Sequence, residues 1–312
     1  MKKKQKRLLY KLLSIVIFFA VVIFGGYQVT TNPDMLDDIK SNNYNQNEVE
    51  NTQSDNLINL DTSENIKIHY IDVGQGDSIL IQCGEHNMLI DAGTNSSEED
   101  LISYLDSLNI QKFDYIVGTH THEDHIGGMD KIVKKYDFDS ILFPKTTSNT
   151  KTFENFVTEV KNKNKKLTAP DTTKTYTLGD ATFEILSPLK DEYEDQNNYS
   201  IVIKLKYKDT SFLFTGDAEK LVEEDILDTN KDISADVIKI GHHGSSTSTS
   251  EEFLKKVNPK YAVISLGKDN SYGHPHKETI ELLENYNIKT YRTDELGTII
   301  CTSDGKNISF NK

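Results

Sequence analysis

Three histidines and an aspartate fall within six residues at His120, His122, Asp124 and His125, written HTHEDH, directly behind the apolar run Tyr115, Ile116 and Val117. In an extended segment residues i and i+2 point the same way, so His120 and His122 can both reach one cation. Asp124 and His125 lie at the turn where the chain bends into the next helix. That geometry suits two adjacent metals. Seven of the nine histidines in the chain sit in three short clusters, which a solvated polar loop does not explain.

Other strand ends carry matching chemistry. Asp91 closes a strand in LIDAG, residues 89–93, and with Asp77 is a candidate for orienting a metal-bound histidine. Asp217 follows the strand in FLFTGDAE, residues 212–219, where a carboxylate can bridge two cations. KIGHHGS, residues 239–245, supplies His242 and His243, one of which is expected at the second metal; His242 ranks first because it leaves the strand first. SYGHPH, residues 271–276, sets His274 in a rigid turn, placed to contact substrate or protonate a leaving group. His276 is expected to begin a helix facing water, and His69 and His86 to serve structure or solvent. The run KNKNKK at 161–166 reads as a solvated helix end, and the serine and threonine stretch 245–250 as a loop leading to a helix cap.

Six basic residues, Lys2 to Lys11, precede an uncharged stretch from Leu12 to Val29 that is long enough, at about 18 residues, to cross a bilayer. The basic flank places the rest of the chain outside the cell, with residues 1–29 as a membrane anchor or, alternatively, a signal peptide. Residues 30–65 are rich in Asn, Asp, Glu, Gln, Ser and Thr and read as a flexible, disordered stalk. From residue 66 to 312, strand patterns alternate with helical ones, as at 66–73, 78–82, 115–117, 201–207 and 237–240 against 98–108, 126–136, 251–257 and 277–286. No internal repeat is visible, so a single α/β domain over 66–312 accounts for them. Cys83 and Cys301, each in a strand-like run, leave open a disulfide or two buried thiols. The formal charge is -14, and residues 1–29 hold six basic and no acidic side chains, so the remainder sits near -20. Such a surface repels nucleic acid over most of its area, and a polyanionic substrate must be drawn in locally by metal ions and a few lysines.

LIDAG, HTHEDHIGG, FTGDAE and KIGHHGS, in this order, resemble the metallo-β-lactamase superfamily. IHYIDVGQGDS at 68–78, the doubled HHGS and YGHPH are similar to the extracellular hydrolase domains of ComEC-like competence proteins. The resemblance implies an αββα sandwich with a metal cleft at one edge of the sheets, and hydrolysis by a metal-bound hydroxide. It implies two divalent ions, zinc or manganese: His120 and His122 on the first, helped by Asn198; Asp124, His125 and His242 or His243 on the second; Asp217 shared. Many members carry a histidine about twenty residues before the bridging aspartate, where this chain has Asn197 and Asn198, as ComEC-like domains do; this suits manganese as well as zinc. With one apolar span, the chain is not expected to transport DNA. The expected function is a phosphodiesterase or nuclease acting on DNA, with Asp124, Asp217, His274 and Asn198 as its catalytic residues. The alternatives are a cell-wall phosphodiesterase of phosphorylcholine or teichoic-acid type, a lactonase, a β-lactamase, or a non-catalytic ligand-binding surface domain, the last expected to lack part of HTHEDH.

Overall fold

Alternating side chains decide which way each strand faces, and in this chain both faces are apolar. The computed structural model describes residues 65–312. The anchor expected over 1–29 and the stalk over 30–65, save Asn65, lie outside the described residues. Among the described residues no helix is long and apolar enough to cross a membrane.

Strands β1 (Ile66–Tyr70), β2 (Ile79–Cys83), β3 (His86–Ile90), β4 (Lys112–Val117), β5 (Asp137–Leu142) and β6 (Leu167–Thr168) come first. Then follow β7 (Thr175–Leu178), β8 (Ala181–Ser187), β9 (Val202–Tyr207), β10 (Thr210–Phe214), β11 (Val237–Lys239), β12 (Tyr261–Ile264) and β13 (Lys289–Arg292). The last two, β14 (Ile299–Ser303) and β15 (Ile308–Phe310), return to the first group. One sheet of eight strands runs β15-β14-β1-β2-β3-β4-β5-β6, and a sheet of seven runs β13-β12-β11-β10-β9-β8-β7.

Ile66, Ile68 and Tyr70 point between the sheets, where they meet Phe183, Ile203, Phe212 and Phe214. Leu80 and Leu89 point the other way, under α1 (Glu98–Ser107), the short α2 (Glu123–Ile126), α3 (Met129–Lys135) and α4 (Lys151–Asn162), which contribute Leu105, Ile126, Ile132 and Phe156. On the far side Leu213, Ile238 and Ala262 are covered by α5 (Lys220–Asp228), α6 (Glu251–Val257) and α7 (Lys277–Asn285) through Val222, Phe253 and Leu283. Helix, sheet, sheet, helix is the expected αββα sandwich. Each helix supplies only an apolar stripe, so burial against a sheet is what holds it.

The two sheets share a pairing plan that no sequence repeat announces. β1–β2 and β2–β3 pair antiparallel, then β3–β4 and β4–β5 parallel. Likewise β8–β9 and β9–β10 are antiparallel, then β10–β11 and β11–β12 parallel. At each switch two neighbouring strands end side by side, leaving loops at their carboxyl ends free to build a site.

Several expectations shift. β1 stops at Tyr70, short of Val73, because Gly74 and Gly76 take positive φ and turn the chain. Cys83 and Cys301 are free and buried. Both lie opposite β1, Cys83 beside Ile66 and Cys301 beside Ile68, but on the strands that flank it on either side. Two interstrand spacings, about 10 Å, are more than a disulfide spans. Burial pushes the Cys301 thiol up to about 12. The lysine run does follow a helix end: α4 stops at Asn162, and the Lys163 and Lys165 ammonium groups donate to the Tyr136 and Phe138 carbonyls. Ser250 caps α6 by accepting from Phe253 N, and His276 precedes α7 as its N-cap residue.

Candidate metal centre

β3 and β4 deliver the first half of the cleft. Asp91, in the left-handed region at φ 60, follows β3 and is fully buried. Its carboxylate accepts from Thr119 N at 2.8 Å, Thr119 Oγ1 at 2.7 Å and His125 Nδ1 at 2.7 Å. The bond from Nδ1 turns His125 Nε2 toward Asp217, whose Oδ2 stands 3.1 Å away. His120 is buried and His122 exposed, and His120 Nε2 lies 3.1 Å from His122 Nδ1 and 3.9 Å from Asp217 Oδ2. The loop after β1 clamps this turn from outside. Asp77 N donates to the Asp124 carbonyl at 3.1 Å, and a Cβ on Gly76 would lie 2.3 Å from that same oxygen, so only glycine fits.

The second half comes from β10 and β11. Asp217 is buried beyond β10, its N–H donating to Ser200 Oγ. After β11 both His242 (φ 50) and His243 (φ 54) are left-handed, so the chain reverses within Gly241–Gly244. This reversal brings both histidines to the cleft, the second buried and the first half-buried at its rim. His243 is buried, donates from Nδ1 to the Ser265 carbonyl at 2.9 Å, and sets Nε2 3.2 Å from Asp124 Oδ2 and 3.6 Å from Asp217 Oδ2. His242 is half-buried at the cleft, with Nδ1 3.2 Å from Thr247 Oγ1 and Nε2 3.8 Å from Asp217 Oδ2.

Asn198 is not turned to the cluster. Its Nδ2 donates to Glu219 Oε2 and its Oδ1 accepts from Glu219 N, which uses both ends of the amide. His274 does reach the cleft, its ring 5.6 Å from that of His242. Burial and the neighbouring His243 and His242 lower its pKa to about 4. Sequence reasoning missed Lys239. This fully buried lysine pairs with Asp77 Oδ2 at 2.8 Å and donates to the Ile240 carbonyl at 3.0 Å, while Asp77 Oδ1 stands 3.4 Å from His243 Nδ1. The signal was a lysine interrupting the apolar run Val237, Ile238, Ile240. His69, off the cleft, is buried with Nδ1 2.8 Å from the Tyr104 hydroxyl.

The donor set fits divalent cations. Ligand atoms of Asp124, His125, Asp217 and His243 all lie within 4.8 Å of one another. Asp217 Oδ1 is buried without a hydrogen-bond partner, and His125 Nε2 and His243 Nε2, though 3.1 and 3.2 Å from carboxylate oxygens, make no aligned hydrogen bond, an arrangement that is costly unless something else engages them. Electrostatics agree. Burial opposes charge on His125, but the carboxylates of Asp217, Asp91 and Asp124 outweigh it and raise its pKa well above the usual range. His243 is raised to about 10 against burial, by Asp217, Asp124 and Asp77. Asp217, despite burial, is held well below its ordinary value by His125, His243 and His120. The carboxylates thus gather positive charge at one point, and histidine nitrogens with carboxylate oxygens suit divalent cations. The cleft has a volume of about 360 Å³ and is also lined by Gln75 and Tyr272.

A model of the metallo-beta-lactamase superfamily matches residues 71–268. Over 251 residues the chain is 32% identical to ComE operon protein 3 of Bacillus subtilis, covering 75% of this chain and 32% of that protein. It is 30% identical over 238 residues to Recombination protein 2 of Haemophilus influenzae, covering 75% and 28%, and 28% identical over 230 residues to Competence protein ComA of Neisseria gonorrhoeae, covering 73% and 31%. The chain therefore spans about a third of the length of these relatives. Among solved structures, the metallo-beta-lactamase fold protein YhfI from Bacillus subtilis aligns with a TM-score of 0.53 at 14% identity, covering 77% of this chain and 100% of that one. This likeness speaks for the fold alone.

Proposed function

Because the chain belongs to the metallo-beta-lactamase superfamily of metal-dependent hydrolases, we propose that its substrate is a phosphodiester, with DNA foremost. One observation carries the reading: buried nitrogens of His125 and His243 without an aligned hydrogen bond and an unpartnered oxygen of Asp217 meet at an open cleft. One relative is named for competence and one for recombination, which supports nucleic acid over a wall polymer. Divalent cations, when bound, lower the pKa of water to about 7 and neutralise phosphate charge.

The residues of the chain do the rest. His120 and His122 would hold one cation; Asp124, His125 and His243 the other; Asp217 lies between the two groups. Asp91 and the Ser265 carbonyl fix the Nδ1 protons of His125 and His243, which leaves each Nε2 facing the cluster. His274, with an unpartnered buried Nδ1, is the group beside the cleft suited to meet a leaving oxygen or the charge that develops on it. The negative surface makes this local neutralisation necessary. The N-terminal apolar stretch would place the domain outside the cell, in reach of extracellular DNA.

The test is cleavage of single- and double-stranded DNA, RNA and bis(p-nitrophenyl) phosphate by stripped protein with manganese or zinc restored. Metal-dependent DNA cleavage that His122→Ala abolishes supports the proposal. Cleavage of the small diester with nucleic acid untouched replaces it with a wall phosphodiesterase.

A further inference from the structure

Of the exposed large apolar side chains among the described residues, four are between 37% and 45% exposed, whereas Tyr272 is 65% exposed. A lone exposed aromatic is ordinary on a protein surface. Tyr272 differs in its position, because it lines the same cleft as Asp217 and His243. Its ring lies 5.7 Å from that of His274 at an interplanar angle of 19°, and the His274 ring lies 6.2 Å from that of His243 at 28°. Three rings therefore stand in near-parallel steps from the buried ligand outward. His274 covers one side of the tyrosine ring, and the remaining exposure leaves the other side open.

The loop beneath is held in place. Asn270 Nδ2 donates to the Gly267 carbonyl at 3.0 Å and the His274 carbonyl at 2.7 Å, and its Oδ1 accepts from His274 N at 3.0 Å. Gly267 N donates to Gln75 Oε1 at 3.1 Å, which ties this loop to the one that clamps HTHEDH. A single asparagine thus brackets the backbone on both sides of Tyr272. An aromatic ring on a braced loop loses little freedom when a flat ligand settles on it.

We propose that Tyr272 is a stacking platform for a nucleobase next to the scissile phosphate, and that the site takes single-stranded nucleic acid in preference to duplex. This rests on the phosphodiesterase reading above. Stacking on an aromatic ring accepts any base, because every base has a π-face, whereas a polyol phosphate offers none. In a duplex both faces of an internal base are covered by its neighbours, so a base must be unstacked to use the platform. Tyr272 acts on binding and position, not on bond cleavage.

The chain contains no tryptophan, so Tyr272→Trp introduces a single indole at the platform. In the metal-loaded full chain, thymidine 5′-monophosphate is expected to quench its fluorescence saturably, and deoxyribose 5-phosphate, which has the phosphate without the base, to leave it unchanged. In steady state, Tyr272→Ala is expected to raise KM for a single-stranded oligonucleotide about tenfold with kcat changed less than about twofold, and Tyr272→Phe to restore KM. Equal quenching by both phosphates, no quenching by either, an unmoved KM, or duplex cleaved as fast as single strand overturns the platform. If the unsubstituted protein cleaves neither DNA nor bis(p-nitrophenyl) phosphate, the phosphodiesterase reading fails instead. Cleavage of both, with KM insensitive to Tyr272→Ala, sinks the platform alone.

Discussion

The two halves of the cleft balance buried charge in different ways. On the β3–β4 side Asp91 is fully buried and no lysine or arginine reaches it among the described residues; its partners are Thr119 and His125, and burial raises its pKa. Asp77, reaching from the loop after β1 across to Lys239 on β11, would also be raised by burial, but Lys239 and His243 outweigh it and the carboxyl is held below its ordinary value. Asp77 brings its own counter-ion, whereas the charge on Asp91 is met only through a metal-facing histidine. The first half is thus coupled to whatever occupies the cluster, and the second is a permanent part of the fold. A buried carboxylate tuned through a ligand governs affinity; one tied to a buried lysine governs stability.

Replacing the residue shared by both halves should have the largest effect. Asp217→Ala is expected to abolish binding of the paired cations and lower turnover by about a thousandfold or more; full metal content by elemental analysis in that variant would refute the shared role. Next comes Lys239→Met, which strands the Asp77 carboxylate in the interior and is expected to cost about 3–5 kcal/mol in urea unfolding of the metal-free protein. The double variant Asp77→Asn with Lys239→Met should recover most of that loss. If the single change costs no more than a surface substitution, the permanence of this half is wrong. Asp91→Asn should act in the opposite sense, weakening cation affinity about 10- to 100-fold by calorimetry while changing metal-free stability less than Lys239→Met does. Equal effects of the two on stability would erase the contrast.

His69 gives a reference away from both halves. Burial, then the charge on Lys67, lowers its pKa from 6.5 to about 4. The unfolded chain therefore binds a proton that the folded chain refuses, and stability falls as pH drops. Between pH 7 and 5 the loss from this one group is about 2 kcal/mol. Unfolding of His69→Gln should be less sensitive to acid by that amount, and an unchanged pH dependence would remove His69 from the account.

What could be read before folding follows from the same contrast. HTHEDH was legible because its four candidate ligands fall within six residues and the strand before it is short and apolar. The αββα layering was legible through the resemblance and through strands apolar on both faces. The pair Asp77 and Lys239 was not, since the partners are far apart in the chain and nothing local joins them. The depths of His242 and His243 were not legible because they depend on two successive left-handed residues, which neighbouring side chains do not specify. Asn198 looked like a ligand by position, but Glu219, only two residues beyond Asp217, offers its amide both a donor and an acceptor. β6, with two residues, and β15, with three, are too short for any periodicity to show.

β1 is flanked by β2 on one side and β14 on the other, joining residues 66–70 to 299–303. The opening strand of the domain therefore waits, during synthesis, for almost the last one. Until Ile299–Ser303 has left the ribosome, one edge of β1 and the apolar side chains beside it have no cover, and the chain presents a ready template for pairing with another copy. Closing so long a loop is slow. Pairing of the first strand with β14 is thus a late step in forming this sheet, and until then the yield of the domain depends on how well the chain is kept from its neighbours.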